Sequence, residues 1–255
     1  MPGEQLDLFA RAYSAVDPLP PQEAAAPDPA ALTDEALIDA LPMATLMTAP
    51  GMAAEAARRR LDAAVPALQR LCRRLVGYGA QNIVPEQAAA LKALAEIGGS
   101  DARQTVARLI AERIVQGPTL ALALGVAARL AAALPADCLT ELLRDPDPSI
   151  RDAACHCAHS PTPAVVAALA ELLDDLRAHI ADAAACALGR VGRAEVLPRL
   201  KRLLLDMPSR EIIEAAVPIA DHEAIVILRR IARTVPDLAA AAATALEEIE
   251  WRAAS

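Results

Sequence analysis

The sequence predicts an all-α protein, an α-solenoid of antiparallel helix pairs that follows an irregular N-terminal tail. Of the 255 residues, 55% are hydrophobic but only 2% are aromatic, whereas β-sandwich and barrel cores rely on aromatic and β-branched side chains. Alanine and leucine dominate instead, and they are among the best helix formers. A motif that recurs about every 30 residues indicates that the helices are stacked in pairs.

Residues 1–32 form the predicted tail. Six of the 20 prolines lie within the first 30 residues, which is typical of a stiff, solvated linker. Residues 1–50 contain eight acidic side chains and a single basic one, Arg11, whereas the rest of the chain contains 25 acidic and 24 basic side chains. Most of the net charge of −8 therefore lies in the first 50 residues, and the rest of the chain is nearly neutral.

The solenoid is predicted for residues 33–255, and its first helix begins at Thr33. In the stretch "TDEALIDALP", Thr33 can cap the helix N-terminus, and Asp34 and Glu35 suit the first turn. The apolar residues that follow have the spacing of a helix that buries one face. The tail therefore gives way to a packed helix at this point.

One short motif recurs through the second half of the chain. Its four copies are "IRDAA" at 150–154, "IADAA" at 180–184, "IIEAA" at 212–216 and "LAAAA" at 238–242. The spacings of 30, 32 and 26 residues are typical of solenoids built from helix pairs. A second pair of similar segments, "ALAEIG" at 93–98 and "ALGRVG" at 187–192, begins 94 residues apart. Breaks expected between helices include Gly98-Gly99, Gly117-Pro118, Met207-Pro208 and Val235-Pro236.

The segments "LLRDPDPSIRDAA" and "ALGRVGRAEVLPRLKRLL" resemble HEAT repeats, especially the short bacterial kind. In such repeats an Asp-Pro turn opens the first helix, and an alanine-rich face packs on the neighbouring pair. The resemblance extends over about residues 85–250 and is weaker over 33–84. It implies a HEAT/ARM-type superhelix with a long concave groove, in which each pair buries the apolar face of the next. Many unrelated functions share this scaffold, so function has to be sought in individual sites.

The cluster "ACHCAHS" at 154–160 offers metal-ligating side chains on one predicted helix. Cys155 and His159 lie one turn apart, but Cys155, His156 and Cys157 point in different directions around the helix, which is poor geometry for a tetrahedral site. In the next repeat, both cysteines align with alanines. The interpretation is therefore packing thiols and surface histidines, with no metal and no other cofactor.

Two enzyme families are built on similar repeats. The pair His222-Glu223 is similar to the His-Glu pairs of the deoxyhypusine hydroxylases, which are di-iron enzymes, but that family needs the pair in several repeats and this chain has one. Bilin lyases also use short HEAT-like repeats, and no lyase-specific motif is present. Phosphate loops, nucleophile elbows and paired catalytic carboxylates are missing too. The sequence thus predicts that the protein is not an enzyme, with a lyase or a chaperone for a prosthetic group as the alternative.

A basic ladder is formed by Lys201, Arg202, Arg229 and Arg230. The two pairs occupy matching positions in "RLKRLL" and "ILRRIA", the second helices of successive predicted pairs. The resemblance to HEAT repeats implies that second helices line the groove, where such a ladder would suit a phosphate backbone. Glu171 interrupts the ladder one repeat earlier, and no aromatic side chains are interleaved for base stacking. Nucleic-acid binding is therefore the less favoured alternative.

The tail contains the stretch "QLDLF", which consists of Gln5, Leu6, Asp7, Leu8 and Phe9. It resembles the pentapeptide with which bacterial replication and repair proteins bind the DNA sliding clamp. The resemblance implies that the glutamine anchors one end by hydrogen bonds and that the closing Leu-Phe pair fills an apolar pocket. The motif predicts a protein partner for the tail, the sliding clamp.

The same segment has a second interpretation. Leu6, Phe9, Tyr13 and Val16 follow the spacing i, i+3, i+7 and i+10 of an amphipathic helix. Such a helix would cap the open end of the solenoid, because terminal repeats need a cover for their apolar face. A cap would bury Phe9 in the fold, whereas a docking motif would leave it exposed. Both interpretations stand at the level of sequence.

Together these observations predict a bacterial, cytoplasmic scaffold or adaptor that binds protein partners. No stretch reaches the roughly 18 apolar residues of a membrane span, and residues 1–10 lack the basic start of a secretory signal. Five cysteines in a chain without such a signal are typical of reduced, buried thiols.

Overall fold

The computed structural model describes residues 28–159 and 161–254, which contain fourteen α-helices and no strand. Their bounds are α1 (Asp34–Ala40), α2 (Ala49–Arg58), α3 (Val65–Arg74), α4 (Pro85–Ile97), α5 (Gly99–Ala111), α6 (Gly117–Arg129), α7 (Ala136–Leu143), α8 (Pro148–Cys155), α9 (Pro163–Glu171), α10 (Ala178–Arg190), α11 (Leu197–Asp206), α12 (Arg210–Ala216), α13 (His222–Thr234) and α14 (Pro236–Ala254). The all-α class predicted from composition is confirmed. None of the helices in these ranges is long and apolar enough to cross a membrane.

The helices form two layers that alternate along the chain. In the A layer, each of α2, α4, α6, α8, α10 and α12 packs against the next even-numbered helix, ending at α14. The odd-numbered helices from α3 to α13 form the B layer, in which α3 packs on α5, α7 on α9 and α11 on α13. The described residues therefore contain α1, six helix pairs and one closing helix, α14, where the repeat spacing of about 30 residues predicts roughly seven pairs. This is the predicted α-solenoid.

Small side chains set the spacing of the A layer. The four copies of the repeated motif lie on the consecutive A helices α8, α10, α12 and α14. Their alanines are closely packed, and Ala184, Ala215 and Ala242 are each 0% exposed. At Gly189 in α10, an added Cβ would lie only 2.5 Å from the carbonyl oxygen of Ala215 in α12. Neighbouring A helices therefore approach as closely as they do because these positions carry few atoms.

The first helix begins as predicted. The Oγ1 atom of Thr33 accepts a hydrogen bond from the backbone N–H of Ala36 at 3.3 Å, which caps α1. The residues just before α1 are held against α2 by the guanidinium group of Arg59, which donates hydrogen bonds to the carbonyl oxygens of Pro29, Ala30 and Leu32. The described chain thus starts on the surface of α2, and the tail boundary at residue 32 stays a prediction.

A buried glutamine ties the two layers together near the N-terminal end. Gln87 in α4 is 0% exposed, and its side-chain amide donates to the carbonyl oxygens of Cys72 in α3 and Ile114 after α5, at 3.0 and 3.3 Å. The carbonyl group of Ile114 lies beyond the C-terminus of α5, whereas that of Cys72, in the last turn of α3, also accepts a hydrogen bond from the backbone N–H of Leu75 at 3.2 Å. Gln87 therefore gives Ile114 a partner and Cys72 a second donor.

Candidate partner-binding surfaces

The structure describes one of the two sites predicted from sequence. The stretch from Gln5 to Phe9 lies in residues 1–27, outside the described residues. Its two interpretations, a clamp-docking motif and a capping helix, therefore stay predictions. The basic ladder is described in full: its first pair lies in α11 and its second pair in α13, on neighbouring helices of the B layer.

Lys201, the first member of the ladder, is neutralised by the neighbouring helix. Its Nζ atom lies 3.1 Å from Asp221 and donates a second hydrogen bond to Glu223 at the start of α13. These contacts, first the one to Glu223 and then the one to Asp221, raise the pKa of Lys201. The side chain is only 18% exposed, so its charge contributes little to the surface potential.

The three arginines of the ladder differ in their partners. One guanidinium nitrogen of Arg229 lies 3.8 Å from a carboxylate oxygen of Glu250 in α14. Arg202 and Arg230 are exposed, and neither forms an ion pair with a described residue. The structure thus brings the four basic residues together but leaves only two of them unpaired, which is a short positive patch rather than a continuous stripe.

A row of Arg–Glu pairs, here called the Arg–Glu row, links the B helices at one edge of the solenoid. Its members are Arg73–Glu112, Arg113–Glu141 and Arg144–Glu171. Glu171, which interrupts the basic ladder in the sequence, accepts two hydrogen bonds from Arg144 at 2.7 and 2.9 Å. Both side chains are half exposed, and exposed pairs of this kind contribute about 0–1 kcal/mol each.

His156, Glu211 and Arg190 form a charged contact between three consecutive A helices. His156 Nδ1 lies 2.8 Å from Oε1 of Glu211, and Arg190 donates a hydrogen bond to the same oxygen at 2.9 Å. The hydrogen bond with His156 is the largest cause that lowers the pKa of Glu211 to about 2, and it also raises the pKa of His156. The carboxylate is therefore ionised, and through Oε1 it ties α8, α10 and α12 together.

The sequence did not single out this contact. The sequence pattern predicts a surface histidine at position 156 and gives no signal for Glu211. Their 55-residue separation exceeds any local motif, so only an alignment of α8 with the helix two repeats later could have suggested that the two side chains meet.

The thiols of the described chain are packing groups. Cys155 and Cys157 are 0% and 3% exposed, and Cys157 donates a hydrogen bond to the carbonyl oxygen of Leu124. Burial raises the pKa of each to about 12, so both are protonated and poorly nucleophilic near neutral pH. Among the described residues, no group of three or more histidine, cysteine, aspartate or glutamate side chains is arranged to hold a metal ion.

The C-terminal groove lies between α12 and α14 and has a volume of about 540 Å³. Its apolar lining includes Val217, Ala241 and Ala245. Each wall carries an ion pair within one helix, Arg210–Glu214 at 2.8 Å on α12 and Arg252–Glu248 at 2.7 Å on α14. An apolar strip bordered by charges of both signs suits a protein segment better than a polyanion.

The N-terminal groove lies between α2 and α4 and has a volume of about 490 Å³. It is largely apolar, and the residues that line it include Pro50, Ala54, Ala57, Ile83, Ala88 and Ala89. One basic and one acidic side chain, Lys92 and Glu96 of α4, lie at the groove. The two grooves thus open on the A layer at opposite ends of the described solenoid.

Comparison with known proteins supports the fold. Residues 136–218, which cover α7 to α12, match the family model described as HEAT repeats. No curated protein sequence matches the chain. The matched range is the part of the chain in which the sequence motif recurs most regularly.

Two solved structures are similar to the chain. A chain from the complex of CpcE and CpcF of phycocyanin lyase from Nostoc sp. PCC7120 has a TM-score of 0.56 at 15% identity, over 92% of this chain and 98% of that one. YibA from E. coli has a TM-score of 0.43 at 15% identity, over 90% and 99%. The first likeness is one of fold, and with the repeat match it confirms a solenoid of HEAT-type helix pairs.

Proposed function

We propose that this protein is a non-catalytic scaffold or adaptor of the bacterial cytoplasm, which its tail tethers to the DNA sliding clamp. The tether would use Gln5, Leu6, Leu8 and Phe9. The observation that carries this proposal is the stretch "QLDLF" itself, whose five positions all agree with the clamp-binding pentapeptide. Its place supports the proposal as well, because a proline-rich segment separates it from the solenoid.

The solenoid would hold the second partner, which we propose to be a protein. The C-terminal groove supports this, because it joins an apolar lining to rims with paired charges. The similar solved structure is a complex of two proteins, CpcE and CpcF, which agrees with a scaffold that works through protein partners.

Weak contacts are sufficient for such an adaptor. Burying Leu6, Leu8 and Phe9 would contribute about 1.5–3 kcal/mol each, and ordering the backbone costs about 1–2 kcal/mol per residue. These two terms largely offset each other, so we expect a dissociation constant no tighter than about 1 μM, which corresponds to about −8 kcal/mol. Simultaneous binding at the tail and at the solenoid raises the effective concentration of each partner for the other.

The alternative functions have less support. A nucleic-acid groove would need a continuous basic stripe, and Lys201 and Arg229 are instead paired with acidic side chains. A lyase or a chaperone for a prosthetic group agrees with the lyase named in the similar structure, but at 15% identity that likeness is one of fold. The protonated state of the buried thiols also argues against thiol chemistry.

The proposal is tested by calorimetric titration of a bacterial sliding clamp into the full chain. We expect binding no tighter than about 1 μM that the variant Leu8→Ala/Phe9→Ala loses by more than about tenfold, because its apolar anchor is removed. The matched control is Tyr13→Ala/Val16→Ala, which truncates two side chains of the same tail outside the pentapeptide and should bind the clamp at least as tightly as the wild type. No binding by the wild type, or equal losses in both variants, would contradict the pentapeptide assignment.

A further inference from the structure

Exposed apolar side chains are concentrated near the N-terminal end of the described solenoid. Of the eleven large apolar side chains exposed among the described residues, six lie between residues 43 and 83. Ile83, one of these six, is 54% exposed and lines the N-terminal groove. Met47, which is 85% exposed, lies two residues before α2 begins. Exposed large apolar side chains are therefore more frequent at this end than in the rest of the described solenoid, and clusters of exposed apolar side chains mark binding surfaces.

The chain that precedes residue 28 is attached beside this groove. A Cβ added to Gly51 of α2 would lie 3.3 Å from Cγ of Pro29, so Pro29 packs directly on α2. Arg59 holds the same short segment through backbone carbonyl groups. The stripe of α2 that lines the groove contains Pro50 and Ala54, and it lies next to the stripe that contains Gly51.

We infer that the N-terminal groove is the docking site of the protein's own tail, with Leu6, Phe9, Tyr13 and Val16 as the side chains that enter it. The connection is long enough, because the twelve residues from Val16 to Asp28 reach up to about 40 Å when extended, whereas α2 is only about 15 Å long. A helix that carried the four side chains would also be about 15 Å long, which is the length of α2.

Charge favours the same occupant. Residues 1–27 contain four acidic side chains and one basic one. The region from α2 to α3, residues 49–74, contains six arginines and only two acidic side chains. Two of these arginines, Arg60 and Arg70, are exposed and form no ion pair within the described ranges. Residues 28–48 add four acidic side chains and no basic one, so the attraction acts between the tail and the segment from α2 to α3, on which the groove opens.

One peptide bond reports whether the tail is docked. Arg11 is the first trypsin site of the chain, and the next one is Arg58 in α2. Cleavage after Arg11 would require the docked segment to open first, so its rate follows the population of the undocked tail. A synthetic peptide of residues 1–27 gives the rate for a fully accessible bond, and mass spectrometry of the full chain gives the loss of residues 1–11.

We expect trypsin to cleave the wild-type chain after Arg11 at least about tenfold more slowly than the peptide. The variant Ala54→Glu places a charged side chain on an exposed position of the groove and should restore the peptide rate. Ala243→Glu, a matched change on the exposed face of α14, should keep the wild-type rate. Cleavage of the wild type at the peptide rate, or no response to Ala54→Glu in a variant with wild-type thermal stability, would overturn the inference.

A further consequence rests on the proposed function. If the tail binds the sliding clamp, the N-terminal groove and the clamp compete for Leu6 and Phe9. Ala54→Glu should in that case bind the clamp more tightly than the wild type, by the same factor by which trypsin cleavage accelerates. Protection of Arg11 without clamp binding would support docking in the groove and contradict the tether to the clamp. Clamp binding without protection of Arg11 would support the tether and contradict docking in the groove.

Discussion

The A and B layers of this solenoid are held together in different ways. Neighbouring A helices meet through alanine and glycine, and the spacing of α10 from α12 depends on the missing side chain of Gly189. Neighbouring B helices are linked instead by the Arg–Glu row, whose members are 39–67% exposed. The difference shows that the A layer sets the geometry of the stack, whereas the charged side chains of the B layer can be replaced at little cost in stability.

The largest effect is expected at the closest approach in the A layer. In Gly189→Ala the new Cβ would meet the backbone of Ala215, so α10 and α12 must move apart at a cost of about 2–3 kcal/mol. Gly125→Ala is the matched control, since nothing lies within 4 Å of its added Cβ, and it should stabilise α6 by about 0.5–1 kcal/mol. Urea denaturation of both variants measures the difference, and equal effects would show that α10 and α12 do not approach this closely.

The link between the layers is expected to have the next largest effect. Gln87→Leu keeps the size of the side chain but removes the donor to the carbonyl oxygen of Ile114 and one of the two donors to that of Cys72, at a cost of about 2 kcal/mol. Gln104→Leu, on the exposed face of α5, should be nearly neutral. Thermal unfolding of the two variants tests this, and a stable Gln87→Leu would mean that water can replace the amide.

The charged contact in the A layer should show up as a pH dependence. The pKa of His156 is raised above its ordinary value of 6.5, so its stabilising contribution is complete below pH 6.5 and is lost as the pH rises through the folded-state pKa. The pKa of Glu211 is lowered from 4.5 to about 2, so its contribution is complete above pH 4.5 and is lost as the pH falls toward 2. The contact is therefore strongest between these two ordinary values.

The variant His156→Asn should accordingly cost more stability at about pH 5.5 than at about pH 9, by about 1 kcal/mol. Chemical denaturation of wild type and variant at both pH values gives this difference. His179→Asn, which replaces an exposed histidine of α10, is the control for the same substitution outside this contact. The same cost for His156→Asn at both pH values would mean that the ring is not protonated in the contact.

The smallest effect is expected in the B layer. Glu171→Gln removes the charge that Arg144 contacts, and we expect a loss of less than about 1 kcal/mol. This loss should vanish near 1 M salt, where the screening length falls to about 3 Å. Urea denaturation at low and high salt measures it. A larger loss that persists in salt would mean that the B layer also sets the geometry of the stack.

Most of the A layer could be predicted from the sequence. The motif copies at 150–154, 180–184, 212–216 and 238–242 lie on successive A helices, because the close approach of these helices demands small residues at the same place in each repeat. The similar segments at 93–98 and 187–192 mark the ends of α4 and α10, three pairs apart. The cap at Thr33 depends only on residues next to it in the sequence, so it could be predicted as well.

The surfaces could be predicted only in part. The four residues of the basic ladder were identified, but the partners of Lys201 lie 20 and 22 residues away in the next helix pair, and no periodicity signals that contact. The grooves are formed by the exposed sides of two helices, so their lining depends on how the helices are rotated as well as on composition. His156 and Glu211 meet across two repeats for the same reason.

The central claim is that the tail works as a docking segment for a protein partner, and titration of the sliding clamp into the intact protein tests it most directly. The account predicts binding no tighter than about 1 μM that Leu8→Ala/Phe9→Ala abolishes, that Tyr13→Ala/Val16→Ala does not weaken, and that Ala54→Glu strengthens. No detectable binding by the wild type and by Ala54→Glu, in which the groove can no longer hold the tail, would contradict the claim.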